Sequence, residues 1–130
     1  MPAPSVATYA AAALVAAQTS FRDLLDSGAG AGLIRVRDAA DVLLAEIVMT
    51  DPCGTVNGAT GRLTITPAGP DASANASGTA AYGELCNSTG TVYLSLPVEA
   101  GAAAVSGKLV LNTLTIVAAG PVEILSATIG

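Results

Sequence analysis

Asp26 to Asp38 reads DSGAGAGLIRVRD, and the change of period inside it decides the fold. Before it, apolar residues recur every three or four positions; after Gly32 they alternate, with Ile34 and Val36 on one side and Arg35 and Arg37 on the other. The first pattern is that of an amphipathic helix and the second that of a half-buried strand. Gly28, Gly30 and Gly32 therefore sit where a helix hands over to a strand. A phosphate-cradling loop needs the opposite order, strand then helix, so that backbone N–H groups and the helix N-terminus face the anion. The G-x-G-x-x-G spacing also fails at Leu33, and no Gly-Lys-Ser/Thr follows, so the glycines read as a joint.

Working backwards, the helix starts near Tyr9 and carries Leu14, Ala17, Phe21, Leu24 and Leu25 as its apolar stripe, with Gln18, Arg22 and Asp26 as the polar one. Ser5 or Thr8 is placed to cap its start, Arg22 and Asp26 are one turn apart and suited to pair, and Gly28 supplies the left-handed residue that ends it. Working forwards, Asp38-Ala-Ala-Asp41 turns the chain into a strand from Val42 to Met49. Asp51-Pro-Cys-Gly-Thr reads as a turn, and further strands follow at Arg62–Thr66, Ser77–Cys86, Thr91–Leu96, Lys108–Val117 and Val122–Ile129. Asn87-Ser-Thr-Gly90 and Ala118-Ala-Gly-Pro121 have hairpin chemistry, and Pro67 to Ala76 is a proline- and small-residue-rich loop. The expected architecture is a mainly β, single-domain β-sandwich or jelly roll with one N-terminal amphipathic helix. Its parts are a helix or arm over residues 1–27, a glycine joint over 28–32 and the β domain over 33–130.

At 130 residues the chain suits one domain. Hydrophobic residues make up 52% of it, yet it has one Phe and no Trp, so its apolar surface comes from small and aliphatic side chains with few large anchors. Such a chain can draw stability from a partner surface or from oligomerisation. The net charge of −5, with five scattered basic residues, argues against phosphate neutralisation and so against nucleic acid, and an acidic membrane is equally unattractive. Val6 to Ala17 is apolar but lacks a basic leading region and falls short of the ~20 residues a bilayer demands. Cys53 and Cys86 are expected to be separate, reduced and buried, and the Asn75-Ala-Ser and Asn87-Ser-Thr sequons to be chance loop composition.

The usual catalytic constellations do not assemble. With no His there is no conventional triad, and Lys108 lacks a Ser-x-x-Lys context. Asp23 with Asp26, and Asp38 with Asp41, have spacings that suit capping and solvation better than acid–base work. No window supplies a calcium loop, and Cys53 stands beside an acid rather than the cation that would activate a thiol. The expectation is therefore no enzyme, no metal and no cofactor. The paired Arg35 and Arg37, on one strand face, are the candidate polar contact to an acidic partner or subunit.

Three segments resemble blocks of small virion proteins of tailed bacteriophages. They are the run from Phe21 to Val36 (FRDLLDSGAGAGLIRV), Leu43 to Gly54 (LLAEIVMTDPCG) and Leu111 to Ile124 (LNTLTIVAAGPVEI). Within that group the chain is most similar to capsid cement or decoration proteins with a jelly-roll fold, as in short-tailed phages of the Bordetella phage type. The resemblance implies a protein on the outer surface of the virion head that cross-links subunits of the major capsid protein, often as a homodimer. After Val36 the chain departs from the family's pattern, because a longer Gly/Pro/Thr-rich loop is shortened to Arg37-Asp-Ala-Ala-Asp41. Candidate contacts to the capsid or a second subunit are the helix face (Leu14, Phe21, Leu25), the glycine joint from Gly28 to Gly32, Arg35 and Arg37, and the terminal hairpin from Lys108 to Ile129. A head–tail connector, a tail or fibre component, and a carbohydrate- or host-surface-binding sandwich are the alternative readings.

Overall fold

The computed structural model describes residues 9–101, 103–105 and 107–129. The protein is mainly β, with one helix near the N-terminus and a single core. In chain order the elements are α1 (Ala11–Leu25), β1 (Leu33–Arg37), β2 (Leu43–Val56), β3 (Leu63–Pro67), β4 (Gly78–Thr79), β5 (Tyr82–Cys86), β6 (Val92–Ala100), β7 (Leu109–Leu111), β8 (Thr115–Ile116) and β9 (Ile124–Ile129). Seven strands close into a barrel in the order β1-β2-β3-β9-β7-β6-β5, while β4 and β8 form a separate two-stranded ribbon. All barrel pairs are antiparallel except β6 with β7. Closure removes the edge strands that an open sandwich would have to protect.

The alternation seen in sequence is what fills the barrel. Ile34 and Val36 of β1 are fully buried, as are Leu44 and Ile47 of β2, Leu63 of β3, Leu85 of β5 and Leu109 of β7. At several positions a glycine lets two backbones approach. A Cβ on Gly54 would run into the Thr64 carbonyl of the paired strand, so the β2–β3 ladder closes there only without a side chain.

Two strand expectations are corrected. Asp51-Pro-Cys-Gly-Thr is not a turn but the second half of β2, which continues to Val56 after a bulge between Met49 and Gly54. The turn composition belongs to that bulge, where Thr50 Oγ1 donates to the Pro52 carbonyl. The expected terminal hairpin is also absent, because the chain reverses at Ala119 but β8 pairs with β4 and β9 pairs with β7 and β3. Ser77–Cys86 and Lys108–Val117 each divide into two strands for the same reason.

Helix α1 lies across one end of the barrel. Its last residue, Leu25, is fully buried, and Phe21 packs against the core beside Leu94 and Ile129, which lie near the start of β6 and at the end of β9. Near the other end of the helix, Leu14 lies against Gly61 in the β2–β3 connection. The Asp26 carboxylate accepts the Cys53 N–H at 2.8 Å, covering the edge of β2 beyond the point where β1 stops. The expected Arg22–Asp26 pair therefore does not form, and Arg22 instead reaches Asp23 at 3.7 Å. Ser5 and Thr8 lie outside the described residues, and Ala10, at the N-cap, offers no side-chain cap. After the helix, Gly28 takes a φ of 102°, as expected of a residue that ends it.

The helix is also rotated relative to its expected stripes. Gln18 and Arg22 are half-buried against the barrel, whereas Ala17 and Leu24 face outwards. Anchoring by Phe21 and Leu25 fixes the rotation, and the long stems of Gln18 and Arg22 can cover apolar surface where alanine could not.

Candidate functional site: the charged face and the helix end

The two arginines of β1 stand on the outer face of the barrel wall, as their alternation with Ile34 and Val36 requires. Register places Arg35 beside Glu46 of β2 and Glu84 of β5, and Arg37 beside Tyr82 of β5. Arg35 Nε donates to Glu46 Oε2 at 2.9 Å, and its guanidinium lies over Gly90 in the β5–β6 turn. Arg37 Nε donates to Glu84 Oε1, and Arg37 Nη1 donates to the Asp41 carbonyl at 2.9 Å. The hydrogen bond to Glu84 raises the pKa of the Arg37 guanidinium further. Tyr82 Oη donates to Asp41 Oδ1 at 2.7 Å, and that bond pushes the phenol up to about 12. The result is a ladder of alternating charge across β2, β1 and β5, with each arginine already matched inside the chain.

The turns beside this ladder are held by their own side chains. Asp38 Oδ1 accepts the N–H groups of Ala40 and Val42, which lets Asp41 adopt a φ of 66°. Asn87 is buried, its Oδ1 accepting the N–H groups of Thr89 and Thr91 while its Nδ2 donates to Ser27 Oγ. Ser88 Oγ donates to the Ser27 carbonyl, so the β5–β6 turn also ties down the joint that follows the helix. The Asn87 sequon is thus spent on structure.

Both cysteines are free and buried, as expected. Burial, reinforced by Asp26, pushes the Cys53 thiol up to about 12, and burial raises the Cys86 thiol as well. Neither has the thiolate character of a nucleophile. Among the described residues, no group of three His, Cys, Asp or Glu side chains is gathered as a metal ion would need.

The helix end has a different character. Of the candidate contacts, Leu25 is wholly inside the core, and Leu14 and Phe21 are half-buried between helix and barrel. Lys108 is half-buried just before β7, away from Arg35 and Arg37, so the six candidates do not form one surface. Beside the helix is a cavity of about 250 Å³ lined by Ala17, Gln18, Phe21, Leu94 and Ile129. Gln18 Oε1 and Arg22 Nε, both on this side of the helix, are shielded from solvent and have no hydrogen-bond partner among the described residues. Sequence reasoning missed this groove, because Gln18 and Arg22 read there as a solvated stripe.

Charge is unevenly divided between the two ends. Arg22, Arg62 and Lys108 lie towards the helix end and are matched in number by Asp23, Asp26 and Asp51. Arg35 with Glu46 and Arg37 with Glu84 cancel along the wall. The remaining acids, Asp38, Asp41, Asp71, Glu99 and Glu123, lie towards the opposite end and account for the whole net charge of −5. Comparison with protein-family models, with curated proteins and with solved structures finds no match. Fold and surface together define a closed, mainly β single-domain barrel, electrically polar along its axis and capped at one end by a helix.

Proposed function

We propose that this chain is a non-enzymatic capsid cement or decoration protein that binds the outer surface of a phage head and stabilises contacts between subunits of the major capsid protein. The observation that carries the reading is the resemblance of the three blocks Phe21–Val36, Leu43–Gly54 and Leu111–Ile124 to virion proteins of that kind. These blocks include the helix end with its joint and most of β1, most of β2, and the chain from the end of β7 to the start of β9. The distribution of polar groups supports it. Arg35, Arg37, Asp26, Asp38 and Asn87 bind strands and turns to one another instead of converging on a cavity. That is the economy of a chain whose task is to present a rigid surface.

The mechanism is linkage. A protein that binds only the assembled lattice shifts the assembly equilibrium towards it, and many weak contacts on one shell add by avidity. No cofactor, nucleic acid or membrane enters this mechanism. The test is the copy number and position of the chain in purified particles, by quantitative gel densitometry and imaging of full heads. On the order of hundreds of copies spread over the shell is the expected result, since every symmetry-related seam offers a site. A few copies at one vertex would replace this reading with a connector, tail or fibre component.

A further inference from the structure

We propose that Asn57 is a site of covalent self-modification, at which the backbone nitrogen of Gly58 attacks the side-chain amide and converts it to a mixture of aspartate and isoaspartate. Asparagine is among the chemically labile residues, and a following residue with a Cβ hinders the approach of its own backbone nitrogen, as glycine does not. Of the four asparagines in the chain, only Asn57 precedes a glycine. Both residues are exposed in the β2–β3 connection, and a Cβ on Gly58 would meet nothing within 4 Å. The Gly58 N–H makes no hydrogen bond among the described residues, so its nitrogen is open to react.

The turn draws the reacting atoms together. Asn57 Oδ1 accepts the Ala59 N–H at 2.8 Å and the Thr60 N–H at 3.1 Å, so the side chain folds back along the main chain and brings its Cγ towards the intervening Gly58 nitrogen. The same two donors sit on the oxygen that gains negative charge when Cγ is attacked, and donors already in place there stabilise the tetrahedral intermediate. Two backbone bonds of 2.8 Å, from Asn57 N–H to the Arg62 carbonyl and from Gly61 N–H to the Asn57 carbonyl, close the turn around this arrangement. Asn87 provides the comparison within the chain. Its Oδ1 also accepts two N–H groups, but it precedes Ser88, is buried, and has its Nδ2 held on Ser27 Oγ. Asn75 precedes Ala76, and Asn112 precedes the β-branched Thr113.

In the first step the Gly58 nitrogen, its proton taken by hydroxide, forms a bond to Asn57 Cγ. The Cγ–Nδ2 bond then breaks, ammonia leaves with that nitrogen, and a cyclic succinimide remains. Water opens the ring at either carbonyl. Attack at Cγ restores the original main chain and gives aspartate; attack at the Asn57 backbone carbonyl gives isoaspartate, in which the main chain runs through Cβ and Cγ. Overall one water is consumed and one ammonia released, with nothing oxidised or reduced. Aspartate keeps an acceptor for Ala59 and Thr60. Isoaspartate lengthens the main chain by one carbon, so the bond closing the turn to Gly61 no longer fits. Because Gly61 lies against Leu14 with no room for a Cβ between them, that change reaches α1. Either product adds a negative charge to the helix end, where acids and bases are otherwise matched. The site rests on the local turn and is independent of the capsid reading.

The experiment is a timed incubation of the full chain in heavy-oxygen water at mildly alkaline pH, with circular dichroism to confirm the fold. Peptide mapping by mass spectrometry, with fragmentation that separates aspartate from isoaspartate, follows each asparagine. Asn57 should lose its amide roughly tenfold or more faster than Asn75, Asn87 or Asn112, a ratio equivalent to about 1.4 kcal/mol in the barrier. The product should contain isoaspartate and solvent oxygen, and the rate should rise with pH because the Gly58 nitrogen attacks without its proton. Gly58→Ala, for which the surroundings leave room, should keep the fold and slow the loss at Asn57 by roughly tenfold or more. An Asn57 that stays intact in the folded chain overturns the proposal, and rapid loss after urea denaturation would then show that the turn shields the amide. Loss that is insensitive to Gly58→Ala also overturns it, as does a product of aspartate alone, the mark of direct hydrolysis by water.

Discussion

At the scale of single residues, the fold depends on a few positions where space or solvation leaves no choice. Gly32 is one. A Cβ there would lie 2.6 Å from Met49 Cε and 2.7 Å from the carbonyl oxygens of Leu25 and Cys86, and backbone oxygens cannot move aside as a side chain can. Gly32→Ala should cost about 3 kcal/mol, at the upper end of overpacking effects, read as a lower urea midpoint with the slope retained. Cys53 makes the opposite point, since its chemistry is suppressed rather than used. Its folded pKa, raised by burial from 9.0 to about 12, exceeds that of the unfolded thiol. The unfolded chain therefore loses its proton first as pH rises. The thiol's contribution to stability is full below pH 9 and is lost between pH 9 and 12. Urea titrations of wild type and Cys53→Ala at matched pH should show the wild type losing ground to the variant through that window. A constant difference would mean that the thiol ionises equally in both states. The partners of Arg35 and Arg37 were beyond reach in sequence, although the outward direction of both was legible. Period-two alternation fixes a face, but Glu46 and Glu84 join it only through long-range register.

At the scale of elements, the helix illustrates what local pattern can and cannot carry. Its existence and its end at the glycines are written in local periodicity and turn chemistry. Its rotation is not, because that depends on which side the barrel end accepts, and there Gln18 and Arg22 displace Ala17 and Leu24. The second half of β2 was hidden for a related reason. Proline and glycine signal a turn locally, yet pairing with β3 and the Asp26 carboxylate hold Cys53 and Gly54 extended. Closure of the barrel was equally invisible, since it rests on pairs such as β3 with β9, more than sixty residues apart in sequence. The Asp26–Cys53 bond is where helix and barrel can be tested as one unit. Asp26→Ala leaves the N–H of buried Cys53 without its acceptor and should cost about 1–3 kcal/mol, while Asp26→Asn, which keeps an acceptor, should recover most of it. Asp23→Ala removes only a surface pair with Arg22 and should fall within about 0.5 kcal/mol of wild type. Equal effects of Asp26→Ala and Asp23→Ala in urea denaturation would show that the helix contributes nothing to the barrel through this bond.

At the scale of the whole molecule, the unequal ends combine a stability cost with a solubility advantage. Five carboxylates without cationic partners repel one another across one end of the barrel, and net charge of one sign keeps copies from meeting there. Two of the five carry little structural duty. Asp38 and Asp71 hold backbone N–H groups and Asp41 holds Tyr82, but the carboxylates of Glu99 and Glu123 make no hydrogen bond among the described residues. Glu99→Gln with Glu123→Gln therefore removes repulsion while leaving the turns intact. At low ionic strength the double variant should be more stable than wild type, by under about 1 kcal/mol, because exposed charges act through solvent. Raising salt to physiological strength shortens the screening length from about 30 Å at 0.01 M to about 8 Å and should erase most of that gain. Urea denaturation of both proteins at the two salt concentrations measures it. A gain that persists in high salt would mean that the glutamates oppose folding through local strain or burial, and a loss would mean that they are paired in solution. Only a gain that disappears with salt matches the charge polarity described, in which the uncompensated acids gather at the end of the barrel away from the helix.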